Sequence, residues 1–512
     1  MGLKQIDWVI SLKALVLSAL LLLLDPEEGA AATRPEKPNV LFLIGDDHAA
    51  HAYGAYGNPL VKTPNLDGLA ESGVIFTNAF CNSPICTCSR QSLLTGVLPH
   101  AIGVRLLQDA LSEDTVTLAD LFKGAGYATA AIGKMHFNSD LHHGFDLRLD
   151  GPDFAAFRNR HPAQPIPSEI ETLPVWRPFK DPARVWLNGS YLPYAARESD
   201  MPSAWFAEQA VEFMENHVEK PFCLFASFTE PHSPFHFPVE YRGMFDPTRL
   251  QVPPVAPEDS PQIPEIFRDL TREEKQRITA AYYTSTAFLD RNVGGVLAAL
   301  DRLGLREKTL VVYLGDNGYC LGHHGRFEKH CFYEQAVRVP LVIRAPWLDK
   351  VGVRAQGLVE FIDIFPTVTE LTGVSSPGAV EGRSLVPLLA GQTSVGRSFA
   401  FSEYWHYESA MVRTADFKLI YERGKRERDD GYKTGLPLPG RTVKLFDLRE
   451  DPQEMTNLAA RPEQVARVRE IEREMLLRLV GDEASRGVPD SLLEDRLDEA
   501  LRRTDPEKVE TP

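Results

Sequence analysis

Four clusters of polar residues follow predicted strands in this 512-residue chain, each at the point where an apolar run ends. The clusters are Asp46-Asp47, Lys134-Met135-His136, His232 and Asp316-Asn317. The apolar runs before them are Val40–Ile44, Ala128–Ile132, Pro221–Phe228 and Thr309–Leu314. In an open sheet of parallel strands, ligands bind at the carboxyl ends of the strands. We therefore expect the four clusters to converge on one edge of a sheet.

The two acidic clusters, Asp46-Asp47 and Asp316-Asn317, offer only oxygen atoms as metal ligands. Hard oxygen ligands without cysteine or paired histidine favour Ca²⁺ or Mg²⁺ over zinc. An isolated Asp-Asp pair is usually a turn or a helix cap. The second acidic pair on a comparable strand end is what favours a metal site here.

Cys86 opens the stretch Cys-Thr-Cys-Ser-Arg-Gln-Ser-Leu-Leu-Thr-Gly, whose residues have a helical pattern from Ser89 onward. A helix N-terminus carries partial positive charge and free amide donors, which suit an anion. Arg90 adds a fixed cation with a fork of donors. The same surroundings predict an acidic, reactive thiol at Cys86. The alternatives are a disulfide or a Cys-x-Cys metal site that includes Cys88.

This stretch resembles the sulfatase motif CxPSRxxxxTG, with its cysteine, serine, arginine, threonine and glycine all in register. The resemblance implies that Cys86 is oxidised to formylglycine, with a formylglycine-generating enzyme as partner during maturation. One hydroxyl of the hydrated aldehyde would attack sulfur and expel the alcohol, and the other would then lose a proton and eject sulfate. Cys88 stands where the family usually has proline, so the segment read by the converting enzyme departs from the pattern there.

Three further segments resemble the family's motifs GKxH, PHxP and LGxHGxxxK. The resemblance implies that Lys134 holds the sulfate and that His136 is the base that collapses the sulfated intermediate. It implies that His232 contacts the sulfate and helps to protonate the leaving oxygen. Lys329 would bind sulfate and assist the leaving group. The family landmarks run in order from about Pro38 to Leu458.

The resemblance therefore predicts a hydrolase of sulfate esters that contains Ca²⁺, or else Mg²⁺. The predicted catalytic residues are Cys86, Arg90, Lys134, His136, His232 and Lys329. The predicted metal ligands are Asp46, Asp47, Cys86, Asp316 and Asn317. Two alternatives stay open: a phosphodiesterase or phosphonate monoester hydrolase of the same superfamily, and a non-catalytic carbohydrate-binding protein that never receives the modification.

Alternating strands and helices, with strands apolar on both faces, predict a doubly wound, mostly parallel sheet flanked by helices. The resemblance implies the alkaline phosphatase-like type of this fold, over residues 36–391. Shorter strand patterns predict a smaller C-terminal α+β subdomain over residues 392–481, and residues 482–512 are expected to form a charged, loosely attached tail. The long helical pattern Arg272–Leu303 has a potential break at Gly294-Gly295.

Residues 1–32 have the pattern of a secretory signal peptide, with Lys4 and Lys13 before the apolar run Ala14–Leu24 and small residues up to Ala32. The alternative is a permanent anchor, but the run is shorter than the ~20 residues that span a bilayer. We expect export without a membrane span after cleavage. The destination would be periplasmic or extracellular in a bacterium, and lysosomal or secreted in a eukaryote.

The formal net charge of −16 argues against a general nucleic-acid binder, which normally carries a basic face. A local basic pocket can still bind anions, because distant surface charges are screened beyond ~8 Å. The expected substrate is a small-molecule or polysaccharide sulfate ester, such as a glycosaminoglycan sugar, with inserts 151–188 and 253–269 forming the pocket. The aromatic residues at 404–407 indicate a buried aromatic cluster rather than a surface that stacks on a sugar. The interleaved charges at 422–430 indicate a solvated loop rather than a contact with an anionic polymer.

Overall fold

The computed structural model describes residues 33–503 except 176, 349, 377 and 379. The predicted signal peptide at 1–32 and the end of the predicted tail at 504–512 lie outside the described residues. Among the helices of the described part, none combines the length and the apolar character needed to cross a membrane.

The strands pair as one large sheet and two smaller ones. In chain order they are β1 Asn39–Gly45, β2 Val74–Phe76, β3 Ala79–Phe80, β4 Ala128–Gly133, β5 Leu147–Leu149, β6 Phe222–Ser227, β7 Thr309–Gly315, β8 Arg338–Val339, β9 Leu341–Arg344, β10 Val353–Ala355, β11 Val359–Glu360, β12 Phe399–Tyr404, β13 Ser409–Thr414, β14 Phe417–Glu422 and β15 Thr442–Asp447. The α-helices of the described residues are Pro64–Glu71, Cys86–Thr95, Pro99–Ile102, Leu118–Gly124, Gly151–Arg160, Ala183–Trp186, Pro202–Glu215, Glu265–Arg268, Arg272–Arg302, Glu334–Val337, Ile364–Thr372, Val386–Leu389, Val465–Ser485 and Asp490–Ala500.

The large sheet has eight strands in the order β10-β2-β9-β7-β1-β6-β4-β5. Strand β9 runs antiparallel to both of its neighbours, and the other pairs in the sheet are parallel. The central strands β1, β6 and β7 are buried along their whole length, as expected for a sheet covered on both faces. The predicted fold class, a mostly parallel sheet flanked by helices, is therefore confirmed.

Helices cover both faces of this sheet. On one face, the helices Cys86–Thr95 and Leu118–Gly124 contribute to a core with the even-numbered side chains of β1. On the other face, the helices Pro202–Glu215 and Arg272–Arg302 contribute to a second core. Two separate cores on opposite faces make this a three-layer α/β/α unit.

The helix Arg272–Arg302 is continuous through Gly294, so the predicted break at this point is wrong. Its start is fixed by a capping box between Thr271 and Glu274. A Cβ atom at position 294 would lie 2.3 Å from Cγ of Asn65, so glycine is required by close packing rather than by a change of direction.

The antiparallel sheet β12-β13-β14-β15 forms the centre of the C-terminal part, as the shorter strand patterns predict. The helix Val465–Ser485 packs on this sheet through Ile471 and Met475. The helix Asp490–Ala500 adds Leu493 and Leu497, which are fully buried in the same core. Residues 490–501 thus differ from the expected loose tail, because leucines spaced four apart give this charged segment an apolar face.

Candidate functional site

The polar clusters follow four neighbouring parallel strands, β7, β1, β6 and β4, at the same edge of the large sheet. Gly45 is opposite Gly315 in the register of β1 and β7, so Asp46 and Asp316 leave the sheet side by side. The main-chain N–H of Asp47 donates to the Asp316 carboxylate at 2.9 Å. The structure therefore brings together the clusters that the sequence places at strand ends.

Four candidate metal ligands lie within 4.8 Å of one another: carboxylate oxygens of Asp46, Asp47 and Asp316, and Sγ of Cys86. The amide nitrogen of Asn317 donates to Oδ1 of Asp47 at 2.7 Å. Its amide oxygen is buried and accepts no hydrogen bond from the described residues. An unpaired buried polar atom costs about 1–3 kcal/mol. This oxygen and the three carboxylates fit a hard divalent cation such as Ca²⁺ or Mg²⁺.

Cys86 is the first residue of the helix Cys86–Thr95, as predicted, and is almost fully buried. Its Sγ lies 2.7 Å from Lys329 Nζ, 3.3 Å from an Asp46 oxygen and 3.8 Å from Lys134 Nζ. Burial and the Asp46 carboxylate raise the pKa of the thiol well above its usual value. The expected acidic thiol is therefore wrong: desolvation outweighs the helix terminus and the two lysines.

No disulfide joins the six cysteines, all of which lie in the described part of the chain. Cys88 is fully buried on the helix Cys86–Thr95, and its Sγ lies 3.8 Å from the carbonyl oxygen of Leu106. The thiols of Cys320 and Cys331 lie 3.5 Å apart. Cys86 accordingly has acidic residues and lysines, rather than another cysteine, as its recorded neighbours.

Arg90 connects three of the strand ends beneath the cavity. It donates to the Asp316 carboxylate at 2.7 Å, to the Ser227 hydroxyl at 2.7 Å and to the carbonyl of Lys134. A further guanidinium nitrogen lies 3.6 Å from Asp46. Arg90 therefore braces the acidic residues and does not form part of the cavity wall.

The two lysines form ion pairs with the metal-site carboxylates. Lys134 Nζ lies 2.5 Å from an Asp46 oxygen, and Lys329 Nζ contacts Asp47. Burial alone would lower the pKa of each lysine, but the partner carboxylates reverse that effect and raise it. Burial would likewise raise the pKa of Asp46, but Lys134 and the other nearby cations hold it well below its usual value. Asp46 and the two lysines are consequently charged at neutral pH.

The two histidines of the site are held neutral. Burial, together with Lys134 and Arg90, lowers the pKa of His136 to about 3. Its Nδ1 atom is buried and has no hydrogen-bond partner among the described residues. Burial also lowers the pKa of His232, whose Nδ1 lies 2.8 Å from the carbonyl of Ser233 and whose Nε2 lies 3.9 Å from Asp47.

These residues line a cavity of about 670 Å³. Its base contains Asp47, Cys86, Lys134, His136, His232 and Lys329. A second group of lining residues, here called the second wall, includes Gln108, Phe179, Trp186, His406, Asp429, Asp430, Gly431 and Tyr432. Phe179 and Trp186 come from the insert 151–188 that was expected to form the pocket, whereas no residue of the insert 253–269 is among the lining residues.

Sequence reasoning missed the contribution of residues 429–432 to this wall. Arg428 is buried and pairs with Glu328 at 2.9 Å and with Asp430 at 2.8 Å. The expectation of a solvated loop is therefore wrong here, because the alternating charges neutralise one another inside the protein. The aromatic residues Tyr404 and Trp405 are buried, as expected.

Comparison with known proteins identifies the family. Residues 38–374 match the family described as Sulfatase, and residues 322–480 match the family described as N-sulphoglucosamine sulphohydrolase, C-terminal. The chain is 29% identical to an ulvan-active sulfatase of Formosa agariphila, over 84% of this chain and 78% of that protein. It is 26% identical to an N-acetylglucosamine-6-O-sulfatase of Bacteroides thetaiotaomicron, over 89% of each chain.

The fold is shared with solved structures of related enzymes. A phosphonate monoester hydrolase of Agrobacterium radiobacter superposes with a TM-score of 0.72 at 24% identity, over 86% of this chain and 95% of that one. At that identity the likeness concerns the fold alone. The family match covers more than half of the 512 residues and includes every strand-end cluster described above. The chain belongs to the sulfatase family and is a hydrolase of sulfuric esters.

Proposed function

We propose that the protein is an exported, calcium-dependent sulfatase that removes sulfate from a sugar, with a formylglycine made from Cys86. The observation that carries this proposal is the position of Cys86 Sγ, between Lys329 at 2.7 Å and Lys134 at 3.8 Å, at the base of a large cavity. Two cations around one side chain provide a binding site for a sulfate dianion or monoester.

Asp46, Asp47, Asp316 and Asn317 would hold the cation, together with the modified side chain of residue 86. Bound there, Ca²⁺ would offset the charge of the sulfate and favour deprotonation of the hydrated aldehyde. The unpartnered amide oxygen of Asn317 supports this ligand set. Mg²⁺ has the same preference for oxygen ligands but demands stricter octahedral geometry.

Lys134 and Lys329 bind and orient the sulfate oxygens, because both are cationic and next to residue 86, with Lys329 buried and Lys134 partly buried. His136 is neutral, so its ring can accept the proton that is released when sulfate leaves. Lys329 carries a proton at neutral pH and can donate it to the leaving alcohol oxygen. His232 lines the same cavity and, although its ring is neutral before substrate binds, would contact the sulfate and assist this transfer.

A sugar as the leaving alcohol is supported by the relatives of this chain, which include an N-acetylglucosamine-6-O-sulfatase and an ulvan-active sulfatase. The cavity is large enough for a drug-sized ligand, and its wall includes aromatic and polar side chains. The division into a catalytic domain at 36–391 and a C-terminal subdomain at 392–481 is part of this proposal, as is export directed by residues 1–32.

The test combines mass and turnover on the full chain, matured with a formylglycine-generating enzyme. We expect the peptide with residue 86 to show sulfur replaced by oxygen with loss of two hydrogens. We also expect faster turnover of para-nitrophenyl sulfate than of the matched phosphodiester. A preference for the phosphodiester would overturn the sulfatase assignment in favour of a phosphoester hydrolase. An intact thiol with no turnover would favour a carbohydrate-binding protein.

A further inference from the structure

The second wall of the cavity contains a carboxylate that the sulfate chemistry does not use. Asp429 lies in the segment between β14 and β15, and its side chain is 42% exposed. Asp429 lines the same cavity as the two lysines. The cavity therefore has a cationic base and an acidic wall, and a substrate must fit both.

The position of Asp429 is fixed by two cationic or polar partners. One oxygen lies 2.6 Å from Nδ1 of His406, and the other accepts from the guanidinium of Arg503 at 2.8 Å. The main-chain N–H of Leu107 donates to Nε2 of His406 at 3.1 Å, so the imidazole carries its proton on Nδ1 and donates it to Asp429. His406 thus connects Asp429 to the loop that contains Leu107.

Asp429 keeps capacity to bind a ligand. A carboxylate accepts about four hydrogen bonds, and the two described here leave the exposed side of the group free to accept more. Burial would raise the pKa of Asp429, but the hydrogen bonds from His406 and Arg503 outweigh it and lower the pKa. The group is therefore anionic at neutral pH and can accept hydrogen bonds but cannot donate them.

An aromatic surface lies beside this acceptor. The ring of Phe179 is about half exposed and contacts Trp186 and Tyr432, with ring centroids 5.3 Å apart in each pair. Gly431 has a φ of 88°, and a Cβ atom there would lie 2.9 Å from the Phe179 ring. Glycine suits position 431 because the backbone has a positive φ there and the Phe179 ring lies against it.

A sugar ring has an apolar C–H face and an edge of hydroxyl donors, which match the aromatic ring and the carboxylate. A second sulfate or a uronate at the same place would face the Asp429 carboxylate, and two like charges side by side in a partly buried site are unfavourable. We propose that Asp429 accepts a hydrogen bond from a hydroxyl or ammonium group of the leaving sugar. Asp429 thereby selects sugars whose only anionic group is the sulfate to be removed, amino sugars included, over sugars with a second anionic group. This inference rests on the proposed function and specifies its substrate class.

Asp429→Asn tests the proposal, because the amide keeps the shape of the side chain and removes its charge. The substrates are monosulfated hexoses and hexosamines, their disulfated counterparts, and para-nitrophenyl sulfate, which has no sugar hydroxyls. We expect kcat/KM of the variant to fall about tenfold for the best monosulfated sugar, which corresponds to the loss of one hydrogen bond to a charged group. For para-nitrophenyl sulfate, kcat/KM of the variant should stay within roughly twofold of the wild-type value, and for disulfated sugars it should rise above it.

Asp416→Asn is the matched control, since Asp416 has a similarly exposed side chain (46%) and also pairs with an arginine. It should leave all three substrate classes unchanged. An equal loss on sugar and aryl sulfates in Asp429→Asn would indicate a merely structural role and overturn the proposal, as would a wild-type enzyme that prefers disulfated sugars. Turnover by the wild type tests the proposed function separately. If the wild type hydrolyses none of the sulfate esters, para-nitrophenyl sulfate included, the proposed function itself is overturned.

Discussion

Lys329 Nζ lies 2.7 Å from Cys86 Sγ, although the two residues are 243 positions apart in the chain. The contact joins the start of the helix Cys86–Thr95 to the loop after β7. Lys329 also contacts Asp47, so the nucleophile position, a metal-site carboxylate and a buried cation form one group. A change of charge at any of the three alters the surroundings of the other two.

Cys86→Ala should lower kcat/KM for para-nitrophenyl sulfate by a factor of about a thousand or more, because no nucleophile remains at the base of the cavity. The fold should survive, which a melting curve would show. Cys223→Ala is the control, since Cys223 is equally buried but lies within β6. A Cys86→Ala enzyme with wild-type rates would disprove the assignment of the nucleophile.

Lys329→Ala should lower kcat by about a hundredfold or more, the usual loss when one preorganised donor to a developing anion is removed. Lys433→Ala serves as the control, because the Lys433 side chain is more than half exposed and pairs with Glu427 at the surface. Steady-state kinetics on both variants measure the effect. Unchanged kcat in Lys329→Ala would show that this lysine does not act on the bound sulfate.

Ca²⁺ should raise the melting temperature of the wild type, because a ligand that binds only the folded state stabilises it by about 2.7 kcal/mol at a hundredfold excess over Kd. Asn317→Ala removes the unpartnered amide oxygen and should reduce this shift. Asn216→Ala, at an exposed helix end, should leave it unchanged. Identical melting of the wild type with Ca²⁺ and with a chelator would contradict the metal site.

Glu334 should make stability depend on pH in acid. Burial would raise its pKa, but Lys418 and two arginines lower it from 4.5 to about 2. A carboxyl group whose pKa is lower in the folded than in the unfolded protein stabilises the fold at pH values above its unfolded pKa. This stabilisation is lost as the pH falls through the folded pKa, here between about pH 4.5 and 2. Because Lys418 lies on β14, the pair links the two parts of the chain. Glu334→Gln should flatten the melting temperature over this range.

The control for this pH dependence is Glu483→Gln, at an exposed position of the helix Val465–Ser485. Differential scanning calorimetry at several pH values compares the three proteins. If Glu334→Gln melts with the same pH profile as the wild type, the ion pair with Lys418 does not contribute to acid stability.

The sequence was sufficient to locate the base of the cavity. Asp46 and Asp316 could be predicted to meet because each follows an apolar run that ends in glycine, and parallel strands align their carboxyl ends. Cys86 could be placed at a helix start from the helical pattern after it. These features depend on local order along the chain and on the general geometry of parallel sheets.

The second wall could not be predicted in the same way. Asp429 is charged and lies between an arginine-rich segment and a glycine, so its pattern is that of an exposed loop. Its position is determined by tertiary contacts with His406 and Arg503, which are distant in sequence. Desolvation of the Cys86 thiol is likewise a property of the assembled layers, and no local pattern indicates it.

The separate origin of the two walls has a consequence for how such an enzyme diversifies. The sulfate-binding base belongs to the ends of β1, β4, β6 and β7, whereas Asp429 and Gly431 belong to a connection between two strands of the C-terminal sheet. Substitutions and insertions in that connection leave the register of the large sheet untouched. A lineage can therefore acquire a new carbohydrate preference by altering one surface connection, while the bond-breaking apparatus is inherited unchanged.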